Sequence, residues 1–290
     1  MNTAKKIYAL LFLCAATLTI QAQEISWKHT EESLPVNVQL FRSAQSIVLP
    51  TTETLQKGDF EFEISHRFLP PVNTGLKRLW GIDGPVNMRL ALSYALTDNS
   101  LISLGRSNSN DNVDLSLRYK ILQVPGATAP FAAALRGGIG WNTLVFDLNT
   151  GNERAAGDNR NFQYYGQLIL NTVINKRLGI GLVPSYLYNS SVYTGEKKNS
   201  VMLGTYAEVY LDKMWGVIFE WSPTLNGYTN GYTPVALGVE LNTGGHFFKV
   251  MVTNASQINP SEYIAGETDY SFKDTGNWRL GFNITRLLKF

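Results

Sequence analysis

The chain alternates apolar and polar residues with a period of two through most of its length, the pattern of β-strands with two unlike faces. From Gly58 to Phe68, Phe60, Phe62, Ile64, His66 and Phe68 fall on one face, and Glu61, Glu63, Ser65 and Arg67 on the other. Val86 to Leu96 sets Val86, Met88, Leu90, Leu92, Tyr94 and Leu96 against Asn87, Arg89, Ala91, Ser93 and Ala95. Val113–Ile121, Val235–Leu241 and Trp278–Thr285 alternate in the same way, and further strands fit near 100–107, 130–142, 161–173, 177–188, 200–211, 214–224 and 246–254. The pattern predicts twelve strands.

The connections carry the stronger argument. Those at 69–85, 143–160, 189–199, 225–231 and 255–275 are long, while 97–99, 174–176, 212–213 and 243–245 are tight and have hairpin composition. Long and short connections in alternation predict an all-β fold, a transmembrane antiparallel up-and-down β-barrel with short periplasmic turns and long external loops. The segment 108–111 is the exception, short although it falls on the external side. An even strand count places both termini in the periplasm. A soluble β-sandwich would also alternate along its strands, but gives no reason for its loop lengths to alternate.

The amino terminus adds a compartment. Residues 1–22 read as a signal peptide, with Lys5 and Lys6 ahead of an apolar run from Ile7 to Ile20 that is too short to span a bilayer. Cys14 lies inside it, so the mature chain is expected to be free of cysteine. Removing the two lysines takes the formal charge of +2 to neutrality, and no basic run points to nucleic acid. Three parts follow: the signal (1–22), a segment 23–56 read as a periplasmic N-terminal tail or a partial plug, and the barrel (57–290). The expected place is the outer membrane.

The carboxyl-terminal strand is amphipathic, with Trp278, Leu280 and Phe282 on its outer face, and the chain ends on Phe290. A terminal Phe on such a strand resembles the assembly signal of bacterial outer-membrane barrels, which implies barrel-assembly machinery and outer-membrane lipid as partners. Tyr94, Tyr119, Trp141, Tyr164, Tyr186, Tyr188, Trp215, Trp221 and Trp278 fall near strand ends, where interfacial girdles form.

Catalysis is not expected. The three histidines, His29, His66 and His246, lack metal-ligand spacing, and no cofactor is implied. A lipid hydrolase, a distant alternative, needs a serine beside a histidine base on the lipid face. His66 is predicted to face outward, but the neighbouring strands offer no outward serine at its height. Gly137-Gly138-Ile139-Gly140 sits within a strand pattern and not ahead of a helix, so it is no dinucleotide loop. Asn108 to Asn112 with Asp114 has calcium-like oxygen spacing but lacks the central Gly and final Glu, and is read as a turn.

The interior is the candidate site. Taking the polar face as inward gives Arg67, Arg89, Arg118, Lys120, Arg136, Lys249 and Arg279 as cations and Glu61, Glu63, Asp114, Glu208, Glu220 and Glu240 as anions. The basic residues are read as concentrated in the early strands and the acidic ones in strands eight to ten, so closure sets two arcs opposite one another. These arcs are expected to pair across the lumen and to narrow it. A structural or interaction barrel or a narrow channel follows, with a solute-specific transporter or porin as the alternative.

Several stretches resemble an uncharacterised Bacteroidota family of outer-membrane β-barrels, a domain of unknown function. They are Phe41-Arg42-Ser43-Ala44-Gln45-Ser46, Ile64-Ser65-His66-Arg67-Phe68, Leu79-Trp80-Gly81-Ile82-Asp83-Gly84, and Leu96-Thr97-Asp98-Asn99 through Gly105-Arg106-Ser107 to Leu117-Arg118-Tyr119-Lys120. The resemblance spans about residues 38–290 and implies the barrel and its location. It carries over no catalytic residue.

Overall fold

The computed structural model describes residues 39–289, apart from 195, 229, 230, 267 and 269. The expected signal peptide, residues 23–38 and Phe290 therefore lie outside the described residues. Among the described residues, twelve antiparallel strands close into one barrel. They are β1 (Phe60–Phe68), β2 (Val86–Thr97), β3 (Ser100–Ser107), β4 (Asn112–Val124), β5 (Phe131–Asn142), β6 (Phe162–Ile174), β7 (Leu178–Tyr188), β8 (Asn199–Tyr210), β9 (Trp215–Trp221), β10 (Val235–Asn242), β11 (His246–Thr253) and β12 (Arg279–Leu288). Each pairs with its sequence neighbours, and β12 returns to β1 with Ile284 opposite Ile64. Closure satisfies the backbone groups that an open edge would leave bare in lipid.

The alternation becomes two environments. In β1 the odd residues are buried and the even ones half-buried, so Glu61, Glu63, Ser65 and Arg67 face inward and Phe60, Phe62, Ile64, His66 and Phe68 outward. Outward Leu92, Leu104, Leu117, Phe219, Leu237 and Val250 are exposed, as an apolar band against hydrocarbon requires. Exposed Tyr119 and Trp215 sit toward the turn end of that band, and Trp141, Tyr164, Tyr186 and Trp221 toward the loop end. Trp141 stacks on Phe162 with ring centroids 5.9 Å apart.

Pro223 interrupts one strand. β9 stops at Trp221 and resumes over Thr224–Gly227 after a register shift against β8, because proline brings no N–H to the ladder. The strand expected at 214–224 thus reaches 227. The loop expected at 143–160 holds a hairpin of its own, Val145–Asp147 against Asn152–Arg154, clamped where Arg154 Nη2 meets Asp147 Oδ2 at 2.7 Å.

A barrel of about eight strands is filled by its own side chains, and one of 16–18 leaves a channel. Twelve strands leave room that must be filled or wetted. Here residues 39–57 enter it from the turn side, with 40–53 buried or half-buried inside and Gln56 and Lys57 exposed at the mouth. The connection between β11 and β12 enters from the loop side with a short helix, α1 (Pro260–Ala265), all six of whose residues are buried.

Candidate functional site

All thirteen charged residues predicted to line the lumen are buried. Their pairing differs from the expectation that opposed arcs meet across the lumen. Arg89 forms a two-point bond to Asp114, Nε to Oδ2 at 2.9 Å and Nη2 to Oδ1 at 2.7 Å, with Glu63 Oε1 at 3.7 Å. Both partners lie on the same side of the wall, two strands apart. Between them is Gly105, where a Cβ would sit 2.3 Å from Asp114 Oδ2 and 2.4 Å from Arg89 Nη2, so the bond needs a glycine there. Lys249 and Glu240 are cross-strand neighbours in register, 3.4 Å apart.

Apart from Glu61, the remaining wall charges bond to neutral groups or to the inner segment. Arg67 donates to Asn283 Oδ1 at 2.8 Å, Arg136 to Ser116 Oγ at 3.1 Å, and Arg279 to the Leu69 carbonyl at 2.9 Å. Glu208 accepts from the Tyr210 hydroxyl at 2.9 Å, and Lys120 lies 4.0 Å from Glu53. Glu61 borders a cavity of about 330 Å³ at the turn-side mouth, together with Glu53 and Asp59. The two arcs do not meet because main chain lies between them and supplies its own donors and acceptors.

That main chain is residues 39–57. Ala44 and Thr51 are joined by a backbone hydrogen bond, which folds the intervening residues into a loop with Ile47, Val48 and Leu49 at its tip. Three backbone N–H groups at the tip donate to Glu220 Oε1: Ile47 at 2.6 Å, Val48 at 3.0 Å and Leu49 at 3.1 Å. A buried carboxylate is costly alone, and charge-assisted bonds are what make it tolerable here. From the basic arc, Arg118 Nη1 donates to the carbonyls of Ala44 (2.8 Å), Thr51 (3.0 Å) and Glu53 (2.7 Å). Lys249 donates to Ser43 Oγ and to the Ser46 carbonyl, both at 2.7 Å. Asn283, whose Oδ1 receives Arg67, donates to the Ile47 carbonyl at 2.7 Å.

The interior is not polar all round. Ala132, Ala134, Ile169, Val183, Leu187, Met202 and Tyr206 form an inward apolar arc on β5 to β8, packed with Phe41 and Leu49 of the inner segment and Tyr263 and Ile264 of α1. Small residues in the wall give the plug room. A Cβ at Gly204 would meet Leu49 Cδ2 at 2.7 Å, and one at Gly179 would meet the Phe41 ring at 2.7 Å. On the loop side, a Cβ at Gly140 would meet Ser261 Oγ at 2.5 Å.

α1 is a capped helix. The Asn259 side chain accepts from the Glu262 N–H at 2.9 Å, Pro260 opens the first turn, and Gly266 ends it in the left-handed region at φ 70°. Glu262 is buried and takes Asn259 Nδ2 and Asn110 Nδ2, each at 2.6 Å, which ties the helix to the tight β3–β4 connection. Tyr263 places its hydroxyl 3.1 Å from Ser222 Oγ and 3.4 Å from Glu220 Oε2. The two insertions therefore meet at one carboxylate.

Sequence reasoning missed Arg42, Glu53, Glu262 and Tyr263 as residues of the interior. The order Asn259-Pro260-Ser261-Glu262 is a readable helix start, yet its setting in a long connection points outward.

Residues 41–288 match the family described as "Membrane bound beta barrel domain (DUF5777)". No curated protein matches the chain. Among solved structures, it is similar to the COG4313 outer membrane channel from Pseudomonas putida F1, with a TM-score of 0.49, 12% identity, and 82% of this chain covering 98% of that one. It is also similar to the NanC porin, with a TM-score of 0.46, 10% identity, and 80% of this chain covering all of that one. The Acinetobacter baumannii outer membrane protein Omp33 gives a TM-score of 0.40 at 6% identity, with 80% and 99% covered.

Proposed function

The chain belongs to the membrane bound beta barrel domain family, and on that premise we propose that it stands in the outer membrane as a channel closed at rest by its own plug. One observation carries this reading. The lumen is filled from the turn side by residues 39–57 and from the loop side by α1, and the two converge on Glu220.

The plug has the character of a removable part. Its main-chain groups are held by side chains of the wall, and it adds no strand to the sheet, so it can leave without breaking the ladder. Charge pairing within the wall keeps Arg89 with Asp114 and Lys249 with Glu240 compensated when the plug is displaced, while Glu220 and Arg118 are the wall charges that draw it back. Export through residues 1–22, insertion by the barrel-assembly machinery through the Phe290 end, periplasmic termini and the Bacteroidota origin implied by the sequence resemblance belong to the same reading.

No catalysis is assigned. His66 stacks on Phe282 at 4.5 Å on the outer face, and its register partners are Met88 and Phe282. Ser65 and Ser93 point into the lumen, away from it.

Planar-bilayer recordings on the purified full chain test the proposal. Long closed periods with brief openings are expected. Leu49→Asp, which places a charge in the apolar cluster at the plug tip, should give frequent or sustained openings. Steady porin-like conductance from the unmodified chain would overturn the closed-channel reading, as would a Leu49→Asp barrel that folds and stays silent.

A further inference from the structure

At the turn end of the barrel, the β6–β7 turn (residues 175–177) and the β8–β9 turn (residues 211–214) border a pocket of about 550 Å³. Lys176, Arg177 and Lys213 line it from the turns, and Arg42 lines it from the inner segment, beside Tyr210 and Asp212. The concentration is local. The other three turns on this side, 98–99, 125–130 and 243–245, contain no lysine or arginine.

The frame of the pocket is fixed. The Tyr210 N–H donates to the Arg177 carbonyl at 2.8 Å, which ties one turn to the other. Asn175 and Lys176 both adopt left-handed backbone, at φ 51° and 57°, the conformation of a tight two-residue hairpin turn. The Arg42 guanidinium lies over the Tyr210 ring at 4.4 Å and donates through Nη2 to the Asp212 carbonyl. A guanidinium has five N–H donors, more than these contacts use. Asp212 is the counter-charge, and its Oδ1 is committed to the N–H groups of Met214 (2.7 Å) and Trp215 (2.8 Å). Arg42 Nη1 also lies 3.7 Å from the buried Glu240 Oε1, so the three turn cations Lys176, Arg177 and Lys213 face one occupied carboxylate. Beside the pocket, exposed Leu211, Met214 and Trp215 mark the apolar margin of the barrel, so the pocket lies at headgroup depth.

We propose that this pocket binds a phosphate-bearing anion, through the lysine ammonium groups and the guanidinium N–H donors, which suit phosphate oxygens. The source of the phosphate is either an anionic lipid of the facing leaflet or a soluble anion. The site stands whether or not the lumen conducts.

The test uses the full chain in detergent micelles with two probes. Native mass spectrometry after equilibration with mixed phosphatidylglycerol and phosphatidylcholine reads lipid retention, and calorimetric titration with inorganic phosphate reads the soluble anion. Preferential retention of phosphatidylglycerol that phosphate does not compete away assigns the lipid source; saturable phosphate binding assigns the soluble one. In either case Lys176→Gln with Lys213→Gln should weaken binding about tenfold, the loss of about 1.4 kcal/mol of charge-assisted bonding. Heat-modifiable gel mobility should stay as in the unmodified chain, since both side chains are exposed. If that variant does not fold, Arg177→Gln and a salt titration of the unmodified chain replace it, and both should weaken binding. No preference for phosphatidylglycerol together with no phosphate binding overturns the proposal, as does a folded variant that binds as tightly as the parent.

Discussion

Tyr263 and Glu220 join the two halves of the plug: the hydroxyl carried by α1 lies 3.4 Å from one carboxylate oxygen, while the other oxygen holds three N–H groups of the inner segment. Each insertion thereby helps to hold the group that anchors the other. Losing the inner segment would leave Glu220 buried with fewer donors, which weakens the case for α1 to stay. Losing α1 exposes Glu220 to water, which competes for the same donors. The two ends should therefore loosen together, as a coupled pair and not as independent lids.

Glu220→Gln is the direct test of that anchor. The substitution keeps the shape but removes the charge, and charge-assisted hydrogen bonds are worth about 1.5–3 kcal/mol each against about 1 for neutral ones. The frequency of channel opening should rise about tenfold or more, and residues 39–57 should become accessible to protease from the turn side. Asp114→Asn removes an equally buried carboxylate that bonds to the wall and not to the plug. It should lower barrel stability without raising the opening frequency. Equal effects of the two on opening would show that Glu220 has no special hold on the plug.

Gly140→Leu tests the outer half separately. The wall at Gly140 has space for α1 only because no side chain is there, with Ser261 Oγ already 2.5 Å from the position of a Cβ. Leucine should displace the helix, raise protease cleavage of the β11–β12 connection, and raise conductance when Glu220 is intact. Gly137→Leu, on the outward face of the same strand, should change neither.

The twelve strands were legible because lumen and lipid impose opposite chemistry on alternate residues, as in Glu61, Glu63 and Arg67 against Phe60, Phe62 and Ile64. The inward charges followed from the same parity. Their partners did not, because parity says which face a side chain is on and nothing of what fills the space in front of it. Glu220 bonds to Ile47 across 173 positions of sequence, through backbone groups that carry no residue signature. The inner segment has no period of its own, since wall side chains such as Arg118 and Lys249, and not a ladder, hold its main chain. The glycines at 140, 179 and 204 were visible, but their meaning as space for the plug needs the plug in place.

Phe282→Lys and Thr285→Lys test which face is which on the strand that closes the barrel. Phe282 faces lipid and stacks near His66, while Thr285 is buried on the inward face. Lysine at the bilayer midplane on the lipid face costs about 2–4 kcal/mol. Phe282→Lys should cut the amount of folded barrel in the outer membrane, read by heat-modifiable mobility in membrane fractions, and Thr285→Lys should cut it much less. The reverse order would mean that β12 is turned over.

The hairpin in the β5–β6 loop should be sensitive to acid. Asp147 accepts two bonds from Arg154, and further ones from the N–H groups of Asn149 and Thr150. The Arg154 bonds, with the Asn149 N–H next, hold its carboxyl below the ordinary aspartate value of 3.8. A carboxyl whose folded value is depressed adds stability that is fully present above its unfolded value, and that is lost as pH falls through the folded one. Amide protection over residues 145–154, measured by hydrogen exchange, should therefore be flat from neutral pH down to about 4. Below that it should drop as Asp147 takes its proton and releases Arg154, while protection in the barrel strands persists. Asp147→Asn should abolish the acid step and leave the hairpin weakly protected at every pH. An acid step that survives in Asp147→Asn would assign it to another carboxylate, with Asp158, which pairs with Arg160 at 2.6 Å, as the next to substitute.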